Sequence, residues 1–159
     1  MQWIYSGQIP ALHSHPEDSL DWPLFDLYVL ADKFCIPDLM DQILDACLDC
    51  MKKCNWTPAA DSLQHMHDCS TRKSSGMSRL VAALVCYVLC TYRYSNAEEE
   101  CPRGELHTLL GNNEDLRLQV CKTLRAHPNG KVFIDPCERA CYCDFYEHAV
   151  TDPCPRSMK

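Results

Sequence analysis

Leu27-Tyr-Val-Leu-Ala-Asp-Lys-Phe-Cys-Ile-Pro-Asp-Leu39 reads as one helix, a stop at a single proline and an immediate second helix. Leu24, Leu27, Tyr28, Leu30, Ala31 and Phe34 recur at steps of three and four, which predicts a helix from about Asp21 or Trp22 to Phe34. Pro23 suits its first turn, where a missing amide hydrogen costs nothing. Ile36 precedes a proline and is pushed toward extended geometry, which ends that helix. Pro37 and Asp38 open the next one, with the carboxylate near the positive end of the dipole. Its apolar stripe is Leu39, Met40, Ile43, Leu44, Cys47, Leu48 and Met51. Asp38, Asp41, Asp45 and Asp49 line the other face, which reads as solvated, and Lys52 and Lys53 suit the C-terminal end. The two helices form a hairpin with almost no loop.

Working outward, Thr57-Pro58 looks like a cap and first-turn proline for a short helix through about His67. A polar loop, Cys69–Gly76, leads into a helix from about Met77 to Tyr92 or Tyr94 that is apolar on nearly every side and therefore expected at the centre. Its most apolar run, Leu80–Leu89, is ten residues long and cannot cross a bilayer. Leu106–Leu110 is expected to form a turn of helix stopped by Gly111, and Asn113 to cap a helix through His127 with Leu116, Val120 and Leu124 inward. After Ile134 the chain is rich in Cys, Pro and aromatic residues and is expected to be mostly irregular. No internal repeat and no strong strand alternation are visible.

The chain has 159 residues, 47% of them hydrophobic, enough to fill a core. Net charge is −7, and between Glu17 and Asp49 nine acidic residues face only Lys33, a balance that repels a phosphate backbone and argues against nucleic acid. Thirteen cysteines would point to disulfides in a short secreted chain. The count is odd, Met1-Gln-Trp-Ile-Tyr-Ser-Gly7 lacks the pattern of a signal peptide, and many thiols fall at helical spacing among leucines. Reduced thiols in a cytoplasmic or nuclear protein are expected.

Tyr5-Ser6-Gly7 and Leu30-Ala-Asp-Lys-Phe-Cys-Ile-Pro-Asp-Leu39 together resemble the second half of a BTB/POZ domain, an α/β interaction module. The resemblance covers roughly the first third of the chain, and Met1 lies just before it, so the first half of such a domain is expected to be missing. Thr57-Pro58, Ser78-Arg-Leu-Val81 and the ending Cys143-Asp-Phe-Tyr-Glu-His148 are similar to the extension of fungal BTB proteins, with Tyr146 in place of a histidine of their tail pattern. The resemblance implies a mainly α chain: residues 1–54 as the C-terminal part of a truncated BTB/POZ-like domain, 55–130 as a helical extension, and 131–159 as an irregular Cys-rich tail. It implies a non-catalytic adaptor for a protein partner, with a cullin-type ubiquitin ligase as one family partner. The family's homodimer elements are not in this sequence, so homodimerisation transfers to no residue here. Leu30, Ala31, Phe34, Ile36 and Leu39 are expected to be packing residues.

Candidate chemistry is confined to cysteine and histidine clusters. Cys137, Cys141, Cys143 and His148, with Cys154 beyond them, crowd a segment too short to build its own core; a reduced tail packing Phe145 and Tyr146 onto the helices is the first reading and zinc the alternative. Cys47, Cys50 and Cys54 share a helix face, and Cys86 and Cys90 are one turn apart; packing is expected for both sets. His65-Met-His67-Asp-Cys69 alternates ligands loosely, in a manner suited to copper or zinc. No P-loop and no Gly-x-Ser-x-Gly elbow is present, and no enzyme is expected. Three readings stand: an interaction module, a small zinc-binding protein, and a gene remnant whose hairpin leaves apolar faces uncovered.

Overall fold

In a computed structural model of the protein, residues 23–70, 72–91, 101–128, 131–139 and 141–148 are described. The elements are α1 (Pro23–Lys33), α2 (Pro37–Cys54), α3 (Ala60–Asp68), α4 (Gly76–Cys90), α5 (Arg103–Asn112), α6 (Glu114–Ala126) and a 3₁₀ turn (Pro136–Glu138). No strand occurs among the described residues.

The hairpin forms as its local code requires. Helix α1 ends in a Schellman closure: the Cys35 N–H donates to the Asp32 carbonyl and the Ile36 N–H to the Ala31 carbonyl, at 3.2 and 2.9 Å. Cys35 itself takes the left-handed conformation usually given to glycine, with φ of 53°. Helix α2 ends the same way through Asn55, whose φ is 48°. Every member of the predicted α2 stripe is buried.

Helix α4 is the centre of the packing, as its all-round apolar character demands. Met77, Leu80, Val81, Val85 and Cys86 have no exposed surface, and α6 lies along this helix through Leu116 and Val120. Each fully buried Leu, Val or Met contributes about 1.5–3 kcal/mol. One continuous hydrophobic cluster runs from Leu24 to Tyr146.

This architecture corrects the BTB/POZ assignment. That fold is built on a β-sheet, and the described residues form helices, turns and irregular segments with no strand. The ten-residue phrase encodes a helix–proline–helix turn, a local instruction that leaves open which layer the hairpin packs on. The adaptor role, the truncated-domain reading and the fungal-type family attribution rested on that assignment and fall with it. The uncovered apolar faces expected of a gene remnant are largely absent too, because α4 and residues 136–146 pack against α2, leaving Leu30 and Phe34 exposed. The framing of 131–159 as a separate Cys-rich tail is corrected as well: residues 131–148, though mostly without regular structure, place Cys137, Tyr142, Phe145 and Tyr146 in the core.

Smaller corrections have local causes. Leu30 and Phe34 are 47% and 69% exposed rather than packed, because they sit on the outer edge of α1 at its end. Helix α5 runs through Gly111 to Asn112, where a single turn stopping at the glycine was expected. Asn113 precedes α6 without capping it; its amide donates instead to Gln64 Oε1 and the Leu109 carbonyl, at 2.6 and 2.8 Å. The Tyr5-Ser6-Gly7 turn and Cys154 lie outside the described residues.

Candidate functional site

The expected zinc ligands do not converge. Cys137 is buried beside Met51, Sγ to Sδ 3.9 Å, and burial pushes its thiol far up. His148 is drawn away to Asp41, and Cys141 and Cys143 stand exposed on the far side of the turn. Among the described residues no group of three or more His, Cys, Asp or Glu side chains can hold a metal ion. The zinc alternative is therefore corrected: chain proximity was mistaken for spatial convergence. Within α2, Cys47 is fully buried and its thiol is pushed up to about 12 by burial, with Cys50 and Cys69 nearby. Cys86 is likewise raised to about 12 and donates weakly to the Val120 carbonyl. His65 is exposed and edge-on to Phe25, while Cys69 is buried, so that alternation does not meet at a point either.

Two arrangements emerge instead. The first is a polar clasp that holds residues 144–148 onto α2 and α4. Asp41, expected on a solvated face, is buried beneath this segment. Its carboxylate accepts the Glu147 and His148 backbone N–H groups at 2.6 and 3.3 Å and His148 Nδ1 at 2.8 Å. Burial raises its carboxyl above the ordinary value, against the pull of those donors. Tyr146 donates its hydroxyl to Asp45. Glu147 accepts the Gly76 N–H at the start of α4 and pairs with Arg72 and Arg79. Arg72 also pairs with buried Asp32 at 2.6 Å.

The first amide hydrogens of α4, which have no partner within the helix, are thus all met: Gly76 by Glu147, Met77 by Tyr28 Oη at 3.1 Å, and Ser78 by Ser75 Oγ at 3.2 Å. Gly76 permits this by its size. A Cβ there would overlap the Phe145 carbonyl oxygen and stand 2.7 Å from Leu44 Cδ1.

The second arrangement is a dithiol. Cys141 and Cys143 are both exposed, with Sγ atoms 2.7 Å apart, and the Cys143 N–H donates to Cys141 Sγ at 3.3 Å. Tyr142 between them is fully buried, its hydroxyl on the Cys137 carbonyl at 2.8 Å, and the next turn closes through Phe145 N–H to the Tyr142 carbonyl at 2.8 Å. The buried tyrosine forces both flanking side chains outward onto one side. The sequence signal was available as Cys-x-Cys around an aromatic residue, but nothing local says which of the three would be buried.

No family model, no curated protein and no solved structure matches this chain. Among the described residues no helix is long and apolar enough to cross a membrane.

Proposed function

We propose that this chain is a non-catalytic helical domain whose Cys141–Cys143 dithiol undergoes reversible thiol–disulfide exchange. The observation that carries the reading is the direct contact of two exposed sulfurs on a clamped turn. Selectivity supports it: Cys47, Cys69, Cys86 and Cys137 are buried with raised thiols, and such groups are poor nucleophiles. The chemistry consumes a disulfide, R–S–S–R. One cysteine thiolate attacks it, the S–S bond breaks and RSH leaves after taking up a proton. The second thiolate attacks the resulting mixed disulfide, forming the Cys141–Cys143 bond and releasing the second RSH. The protein loses two hydrogens and the small disulfide gains them. A bond closing so short and exposed a loop belongs to the labile, responsive class. The non-catalytic character is supported by the clasp, where Glu147 is engaged with Arg72 and Arg79, and Asp41 with His148.

The test is exposure of the reduced protein to oxidised glutathione, followed by alkylation and fragment mass spectrometry. The expected result is loss of two hydrogens at Cys141 and Cys143 with no accumulating adduct at either, while Cys35 and Cys121 collect mixed disulfides, because only the second step at Cys141–Cys143 is intramolecular. Cys141→Ser should leave a persistent glutathione adduct at Cys143. Stable adducts at Cys141 or Cys143 in the unsubstituted protein, without ring closure, would overturn the reading.

A further inference from the structure

We infer that the outer face of α6 is a docking surface for an acidic, amphipathic protein segment. Arg117, Leu118, Cys121, Lys122 and Arg125 are all exposed, and their spacing places them on one side of the helix, opposite Leu116 and Val120. Leu118 is 52% exposed at the middle of this face, and Leu124 flanks it.

The charges set this face apart. Five cations elsewhere have carboxylate partners: Lys52 with Glu138, Arg72 with Asp32, Lys73 with Asp115, Arg79 with Glu147, Arg139 with Asp144; exposed Lys33, Lys53 and Lys131 make no ion pair either, but no three of them share a helix. Among the described residues Arg117, Lys122 and Arg125 make no ion pair. Asp115, at the edge of this face, is taken by Lys73 at 2.8 Å, and Glu114, three residues before Arg117 and four before Leu118, is the one acid of α6 that lies on it. In a chain of net charge −7, three unpaired cations around an exposed leucine form a local inversion of sign.

A complementary partner carries carboxylates around an apolar residue. Arg117 and Arg125 lie eight positions apart, about 12 Å along the axis at 1.5 Å per residue. Carboxylates about two helical turns apart match that distance, and a leucine between them meets Leu118. Leu118 supplies the apolar contact, while Arg guanidinium groups suit bidentate carboxylate recognition.

The probe is a synthetic helix-forming peptide with glutamates eight residues apart flanking leucines, titrated into the whole chain at low salt. The expected result is perturbation of α6 amide resonances, with affinity falling as salt rises. R117E with R125E should weaken binding about tenfold or more, and Leu118→Ala several-fold, with far-UV circular dichroism unchanged because all three residues are exposed. Lys33→Glu, a charge reversal on the exposed end of α1, should leave binding unchanged. No peptide binding, equal loss with Lys33→Glu, or binding confined to phosphatidylserine-containing vesicles or duplex DNA would each overturn the inference.

Discussion

Replacing Gly76 with alanine sets two effects of opposite sign against each other. By helix propensity alone, alanine for glycine stabilises by up to about 1 kcal/mol. The geometry around Gly76 reverses that. Its Cβ would overlap the Phe145 carbonyl oxygen, a backbone atom in a segment held by Arg79 and Asp41, and would crowd Leu44 Cδ1 at 2.7 Å. The segment must lift, and the hydrogen bond from the Gly76 N–H to the Glu147 carboxylate is the first casualty. A bond to a charged acceptor is worth about 1.5–3 kcal/mol. Partial loss of Phe145 and Tyr146 packing adds about 1–2 kcal/mol. The net expectation for Gly76→Ala is destabilisation of about 2–4 kcal/mol, after subtracting the propensity gain. Urea denaturation followed by far-UV circular dichroism measures it. Gly111→Ala in α5 is the internal control: a Cβ there meets nothing within 4 Å, so it should stabilise by up to about 1 kcal/mol. A Gly76→Ala protein as stable as the parent would refute the close approach and, with it, the docking of the clasp.

Cys35→Gly should stabilise the chain by about 1 kcal/mol, because an exposed L-residue there pays for its left-handed backbone with no packing in return; a lower urea midpoint would contradict the Schellman closure of α1. Alkaline titration should unfold the protein more steeply than exposed tyrosines allow. Burial holds Tyr28 at about 12 against an ordinary 10.0, so the native state keeps the proton longer, and stability present below pH 10 is lost as pH rises to about 12, on the order of 2–3 kcal/mol. Cys47 and Cys86, also held at about 12, add loss of the same sign. Tyr28→Phe should remove the tyrosine's share and cost about 1 kcal/mol at neutral pH through the orphaned Met77 N–H, both visible in denaturation curves across pH.

Local periodicity was enough for the helices. The apolar stripe of α2, the proline restart at Pro37 and the centrality of α4 were legible because helix formation and one-sided burial depend on residues three and four apart. A family assignment was not legible, since a hairpin phrase specifies a turn between two helices and says nothing of a sheet beneath them. Nor were the fates of Asp41 and Asp45, which belong to the same i, i+4 ladder as exposed Asp38. What separates them is the return of residues 144–148 about a hundred positions later. The cysteines divide in the same way. Sequence supplied thirteen thiols and their composition-level chemistry, while the burial of Tyr142 turned Cys141 and Cys143 outward together and tertiary packing withdrew Cys47 and Cys86 from solvent. Secondary structure is a short-range property and is written in neighbouring residues. Which polar groups lose water, and which sulfurs meet, depends on contacts between distant segments and is settled only when the chain closes on itself.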